Sequence, residues 1–176
     1  MDRMAQMLID NKMVPKHLDT PAKVICCFIT GRELGIGPVA STRQIYPAGE
    51  GKTGLMASLM RALCYKNIKG FELQILQTTD KLCQGRARRG GGEWTTVTFT
   101  WDDAVRAGLT GKGVWGKYPK AQLVARVSST LCNIVGSDAL LGCLTPEEYG
   151  RDEVADKENT NPVTVNGTVQ EDGTDE

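Results

Sequence analysis

Phe71-Glu72-Leu73-Gln74-Ile75-Leu76-Gln77, Lys81-Leu82-Cys83-Gln84-Gly85-Arg86-Ala87-Arg88 and Trp94-Thr95-Thr96-Val97-Thr98-Phe99 are the runs that decide the fold. Apolar and polar residues tend to alternate along them, the period that turns successive side chains to opposite faces of a strand. Short polar links separate the runs, so together they predict an antiparallel meander. Helical spacing flanks them on both sides. Met1 to Asn11 reads as an amphipathic helix with Met4, Met7 and Leu8 on one face. Thr20 is a good N-cap and Pro21 a good first helical residue, so a second helix should run to about Leu34. Val24, Cys27, Phe28 and Leu34 recur along it at helical spacing, and Gly35 supplies its stop. Residues 41–47 read as a short strand and Leu55 to Tyr65 as a third helix. Beyond the meander, Thr100 and Asp103 form a capping box that opens a helix through about Ala107. Tyr118 to Val135 is the longest helix, with Leu123, Val127, Leu131 and Ile134 as its buried stripe. The expected class is α+β: a small antiparallel three-stranded sheet with helices packed on one face.

The 176 residues suffice for one domain with a real core. A formal net charge of zero conceals a split. From Arg151 to Glu176 there are two basic and eight acidic residues, a net of −6, which leaves residues 1–150 at +6. The acidic segment lacks aromatics and periodic apolar residues, so residues 151–176 are expected to be a disordered tail behind a folded domain of residues 1–150. A basic body with an acidic tail suits a polyanion binder carrying an electrostatic shield, and suits equally a domain with a solubilising tail. No signal peptide or apolar run of membrane-spanning length is present, which predicts a soluble, cytoplasmic protein.

Cys26, Cys27, Cys64, Cys83, Cys132 and Cys143 form no C-x-x-C pair, and His17 has no partner at ligand spacing. Neither zinc nor another cofactor is expected. Cys64 and Cys132 fall on apolar helical faces, where cysteine serves as a small core residue.

Gly49-Glu50-Gly51-Lys52-Thr53 invites a second reading. A phosphate-binding loop, G-x-x-x-x-G-K-[ST], wraps phosphates in backbone N–H groups while its Lys and Ser/Thr reach the terminal phosphate and magnesium. Gly51, Lys52 and Thr53 match its end, but Tyr46 stands where the leading glycine belongs. A side chain there obstructs the tight turn. A metal-holding acid closing a second buried strand is also missing. The competing reading makes Gly49-Glu50-Gly51 a hairpin turn with Lys52 at its exit.

The chain also carries an ordered set of signals. Val14-Pro15 and Thr20-Pro21 lead into a helix ending Gly31-Arg32-Glu33-Leu34-Gly35, followed by Pro38, Ile45, Gly51-Lys52 and the helix Leu55 to Leu63. Then come Val97-Thr98-Phe99-Thr100-Trp101-Asp102-Asp103-Ala104, Ala107-Gly108-Leu109, Trp115 and Lys117-Tyr118-Pro119. Leu123, Arg126, Asp138 and Leu144-Thr145-Pro146-Glu147-Glu148-Tyr149-Gly150 complete the series. The set, from about Leu18 to Gly150, resembles the RecT-like single-strand annealing proteins of phages. The late helix departs from that pattern, with Gln122-Leu123, Arg126-Val127 and Gly136-Ser137 where other pairs are expected.

The resemblance implies ATP-independent binding and annealing of single-stranded DNA in phage-type recombination, by a homo-oligomeric ring or filament without catalytic residues. A companion exonuclease or a host single-strand binding protein are further partners it implies. Read by their own chemistry, Arg86, Arg88 and Arg89 before a glycine turn suit either phosphate contacts or a solvated hairpin tip. Lys112, Lys117 and Lys120 flank Trp115 and Tyr118, rings that either stack bases or pack in the core. Arg126 matches the family pattern by position and faces either DNA or Asp138. With Lys52 and Arg61 from the resembling segments, these ten residues, Tyr118 aside, are the expected DNA contacts.

Overall fold

A computed structural model of the chain describes residues 1–49, 52–111, 113–143 and Thr145. The expected acidic tail, Lys112 and the Glu50-Gly51 turn lie outside the described residues. In chain order the elements are α1 (Asp2–Asp10), α2 (Pro21–Glu33), α3 (Pro38–Gln44), β1 (Ile45–Gly49), β2 (Lys52–Leu55), α4 (Ala57–Asn67), β3 (Phe71–Thr78), β4 (Leu82–Arg89), β5 (Thr95–Thr100), α5 (Trp101–Arg106), α6 (Gly113–Lys117) and α7 (Pro119–Gly136), closed by a 3-10 turn at Ser137–Leu140. Among the described residues this is an α+β fold with two small antiparallel sheets.

The meander forms as expected, in the order β3-β4-β5. Its register sets Gln74 opposite Arg86 and Arg86 opposite Thr96. Cys83, Ala87, Val97 and Phe99 point inward, and α7 lies across that face. Gly85 permits the close approach: a Cβ there would stand 2.9 Å from Val127 Cγ1. Leu123, Val127 and Leu131 of α7 are fully buried. Removing each from water contributes about 1.5–3 kcal/mol, so α7 is the main apolar anchor of the sheet.

α2 starts and stops as its sequence dictates. Thr20 Oγ1 accepts the Lys23 amide, Pro21 takes the first turn, and Gly35 adopts a φ of +67° just beyond the C-cap. A helix that starts on Pro38 replaces much of the strand expected at residues 41–47. Ser41 and Thr42 donate their hydroxyls to the carbonyls of Gly37 and Val39, which satisfies them locally in helical geometry. The strand begins only at Ile45; it pairs antiparallel with β2, in line with the hairpin reading of Gly49-Glu50-Gly51, and makes a second sheet that the single-sheet expectation omits. Leu55 therefore closes a strand, and α4 starts two residues later than expected.

Two expected apolar faces are also corrected. In α1 the fully buried residue is Ala5, while Met4 and Met7 are 44% and 53% exposed. A small side chain lets α1 approach α2 closely, which leaves the longer methionines outside. Ile134, expected in the α7 stripe, is 46% exposed. The last turn of α7 applies its Cys132 and Gly136 side to α4, where a Gly136 Cβ would meet Cys64 Sγ at 2.7 Å.

The capping box of α5 is complete. Asp103 Oδ2 accepts from the Thr100 amide and hydroxyl, and Thr100 Oγ1 accepts the Asp103 amide. Burial pushes the Asp103 carboxyl up, but the Thr100 hydrogen bonds and the Arg106 guanidinium outweigh it and hold the group below its usual value. A depressed folded-state pKa means that this stabilisation is complete above the unfolded value, near 4, and is lost as pH falls through the lower folded one. Thr100→Ala is expected to cost about 1 kcal/mol at neutral pH. Its cost should shrink at about pH 2, below the unfolded value and toward the lowered folded one, as the carboxylate begins to protonate in the folded state. Urea denaturation at the two pH values checks this; an equal cost at both would contradict it.

Candidate nucleic-acid interface

Alternation along β4 divides its three arginines. Arg86 and Arg88 project from the outer face of the sheet, away from α7. Arg86 donates from Nε and Nη2 to Gln74 Oε1 at 3.0 and 2.9 Å, and Arg88 pairs with Glu72 at 2.7 Å. Both guanidinium groups lie over the Trp94 ring, 4.2 and 4.4 Å from its centroid. Cation–π contact holds the two side chains against the sheet rather than free in solvent. Trp94 is not among the expected contacts, although its place just after the arginines and glycines signals it.

Arg89 turns the other way. It forms a bidentate pair with Asp138 at 3.0 and 2.8 Å, which raises the arginine pKa and holds the Asp138 carboxyl below its usual range. Asp138 is therefore engaged by Arg89, and Arg126 finds other partners. The two groups are about half exposed, so the pair is a solvent-screened clasp between β4 and the 3-10 turn.

A second locus lies where the start of α4, the β1–β2 hairpin, α6 and α7 meet. They enclose a cleft of about 490 Å³ whose lining includes Arg61, Trp115, Arg126, Tyr46, Ser58 and Ser128. Arg126 is only 6% exposed; its Nη1 donates to Thr145 Oγ1 at 3.1 Å, and its guanidinium carbon lies 5.9 Å from the Phe99 centroid. Trp115 is 6% exposed and packs on Trp101 with centroids 6.2 Å apart. Core packing thus claims most of its surface, and only part of it is left to the cleft wall. The neighbouring Tyr118 is 63% exposed. Lys117 and Lys120 are exposed on α6 and the first turn of α7, the elements that carry Trp115 and the cleft-lining Ala121 and Gln122.

Lys52 opens β2 and Thr53 is buried within it, where it accepts a hydrogen bond from the Thr30 hydroxyl at 3.4 Å. Tyr46 stacks on His17 with ring centroids 4.8 Å apart. These residues thus belong to a hairpin, not to a loop running directly from strand to helix. The structure gathers Arg61, Trp115 and Arg126 at the cleft, leaves Arg86 and Arg88 on the sheet face, and ties Arg89 to Asp138. Ser58 and Ser128 belong to the cleft although no local pattern marks a helical serine as functional.

Cys64 and Cys132 are fully buried, and all six cysteines are free. No single helix among the described residues is long and apolar enough to cross a membrane. The chain matches no protein-family model, and no curated protein is significantly similar to it.

Proposed function

We propose that this chain is an ATP-independent single-stranded DNA annealing protein of the RecT-like kind, working in the cytoplasm as a homo-oligomer. The observation that carries the reading is the convergence of Arg61, Arg126 and Trp115, from three separate elements, on one cleft. Lys117 and Lys120 lie exposed on the elements that form its wall. Annealing requires no bond chemistry. It requires phosphates to be neutralised so that two polyanions approach, and bases to stay available for pairing. Arg86 and Arg88 on the outer sheet face add a second cationic surface, partly offset by Glu72. Many weak sites on an oligomer would add through linkage. A nucleotide loop is the weaker reading because Lys52 and Thr53 are strand residues.

Anisotropy of a labelled oligonucleotide, titrated with protein over a range of salt, tests the proposal. Binding should need neither ATP nor magnesium, and log K should fall with log salt by about 0.7 per phosphate contacted. Absence of binding at low salt would refute it. So would saturable ATP binding that disappears in Lys52→Ala.

A further inference from the structure

The lining of the cleft has two features that a diffuse electrostatic groove does not require. Helix α4 begins there on Met56 as N-cap, with no side-chain cap hydrogen bond among the described residues; the Ser58 hydroxyl donates instead to Gln44 Oε1. Ala57 and Ser58, whose amides lie in that first turn, line the cleft. First-turn amides have no intrahelical carbonyl to reach, and the helix dipole adds about half a positive charge at this end. Arg61 stands one turn further along the same helix and lines the same cleft.

The second feature is independent of the helix end. Ser128, across the cleft on α7, is only 1% exposed, yet its hydroxyl has no hydrogen-bond partner among the described residues. A serine inside a helix ordinarily satisfies its hydroxyl on a carbonyl of the preceding turn, as Ser129 and Thr130 do on Arg126 O. A buried hydroxyl left unpaired costs stability unless something outside the protein accepts from it.

We infer that the α4 N-terminus, Arg61 and Ser128 form a phosphoryl-binding site within the cleft. The donors come from three directions: helix amides, a guanidinium fork and a hydroxyl. A tetrahedral phosphate spreads its acceptor lone pairs in three dimensions to meet donors from all three directions, whereas a carboxylate presents its own in one plane. The phosphoryl group is either an internal phosphodiester of a bound strand, with two non-bridging oxygens, or a terminal phosphomonoester, with three; both are tetrahedral anions. The inference deepens the annealing reading by naming where one phosphate is seated, and it rests on that reading only for the strand as a source.

Titrating the full-length, ¹⁵N-labelled protein with inorganic phosphate, against sodium chloride of matched ionic strength, tests the site. Saturable shifts are expected at the amides of Ala57 and Ser58. Ser128→Ala should weaken them about tenfold while the melting temperature holds or rises, because the variant removes an unpaired buried hydroxyl. Arg61→Gln should weaken them by at least as much. Thymidine 5′-monophosphate and a short oligonucleotide with a 5′-hydroxyl separate the two sources. Tighter binding of the oligonucleotide assigns an internal phosphate, and tighter binding of the mononucleotide a terminal one. Absence of saturable shifts at Ala57 and Ser58, or unchanged affinity in Ser128→Ala, overturns the site. Annealing by the unaltered protein without saturable phosphate shifts sinks this inference alone; phosphate binding without annealing sinks the proposed function alone.

Discussion

Replacing Arg61, Lys117 and Lys120 together with glutamine should lower single-strand affinity at low salt by about 100-fold, since each cation–phosphate contact is worth on the order of 1 kcal/mol. The salt dependence should flatten as well, the slope of log K against log salt losing up to about 2 units. Lys117 and Lys120 are exposed, and Arg61 lines an open cleft, so the melting temperature should barely move. The control is Arg3→Gln, Lys69→Gln and Lys81→Gln in one chain, which removes the same charge from exposed positions that do not line the cleft. Anisotropy measured for both variants separates local contact from net charge. Equal losses in the two would mean that overall charge, not the cleft, holds the strand.

Leu131→Ala is expected to destabilise the fold more than any surface change. Leu131 is fully buried on α7, between Val127 and the packing against α4. Truncation forfeits its transfer energy and leaves a cavity, at a cost of about 3 kcal/mol. For a chain of this size the melting temperature should fall by about 10 °C. Ile134→Ala, one turn on, should stay within about 0.5 kcal/mol because that side chain is largely in solvent. Thermal unfolding of the two variants decides the matter. Similar losses would put Ile134 back in the stripe that spacing alone suggests.

Those two positions show what the sequence reveals and what it withholds. Leu123, Val127, Leu131 and Ile134 share one helical spacing, and nothing local says that the last of them sits where α7 turns its other side to α4. The meander is legible because alternation and intervening polar links act within a few residues. Its runs at 71–77, 81–88 and 94–99 fall within one or two residues of the strands at Phe71–Thr78, Leu82–Arg89 and Thr95–Thr100. The Thr100–Asp103 box and the Thr20-Pro21 start are local in the same sense. The β1–β2 hairpin is legible at Gly49-Glu50-Gly51, which reads as a turn, but its second strand is harder to see. Lys52-Thr53-Gly54-Leu55 is too short to show a period, and Pro38 marks a helix start only once Gly37 supplies its extended N-cap.

Site geometry divides along the same line. Alternation already places Arg86 and Arg88 on one face and Arg89 on the other, so their separation is a local consequence. The meeting of Arg61, Trp115 and Arg126 is not, because it requires α4, α6 and α7 to be packed together. The same packing sends Trp115 into the core and gives Asp138 to Arg89. Ser128 looks like any other helical serine until burial strips away its partners.

Annealing of two complementary labelled oligonucleotides, with and without ATP and magnesium, at low and moderate salt, tests the central claim most directly. Acceleration without ATP that fades as salt rises is the predicted result. No acceleration at low salt, with saturable ATP binding abolished by Lys52→Ala, would contradict it.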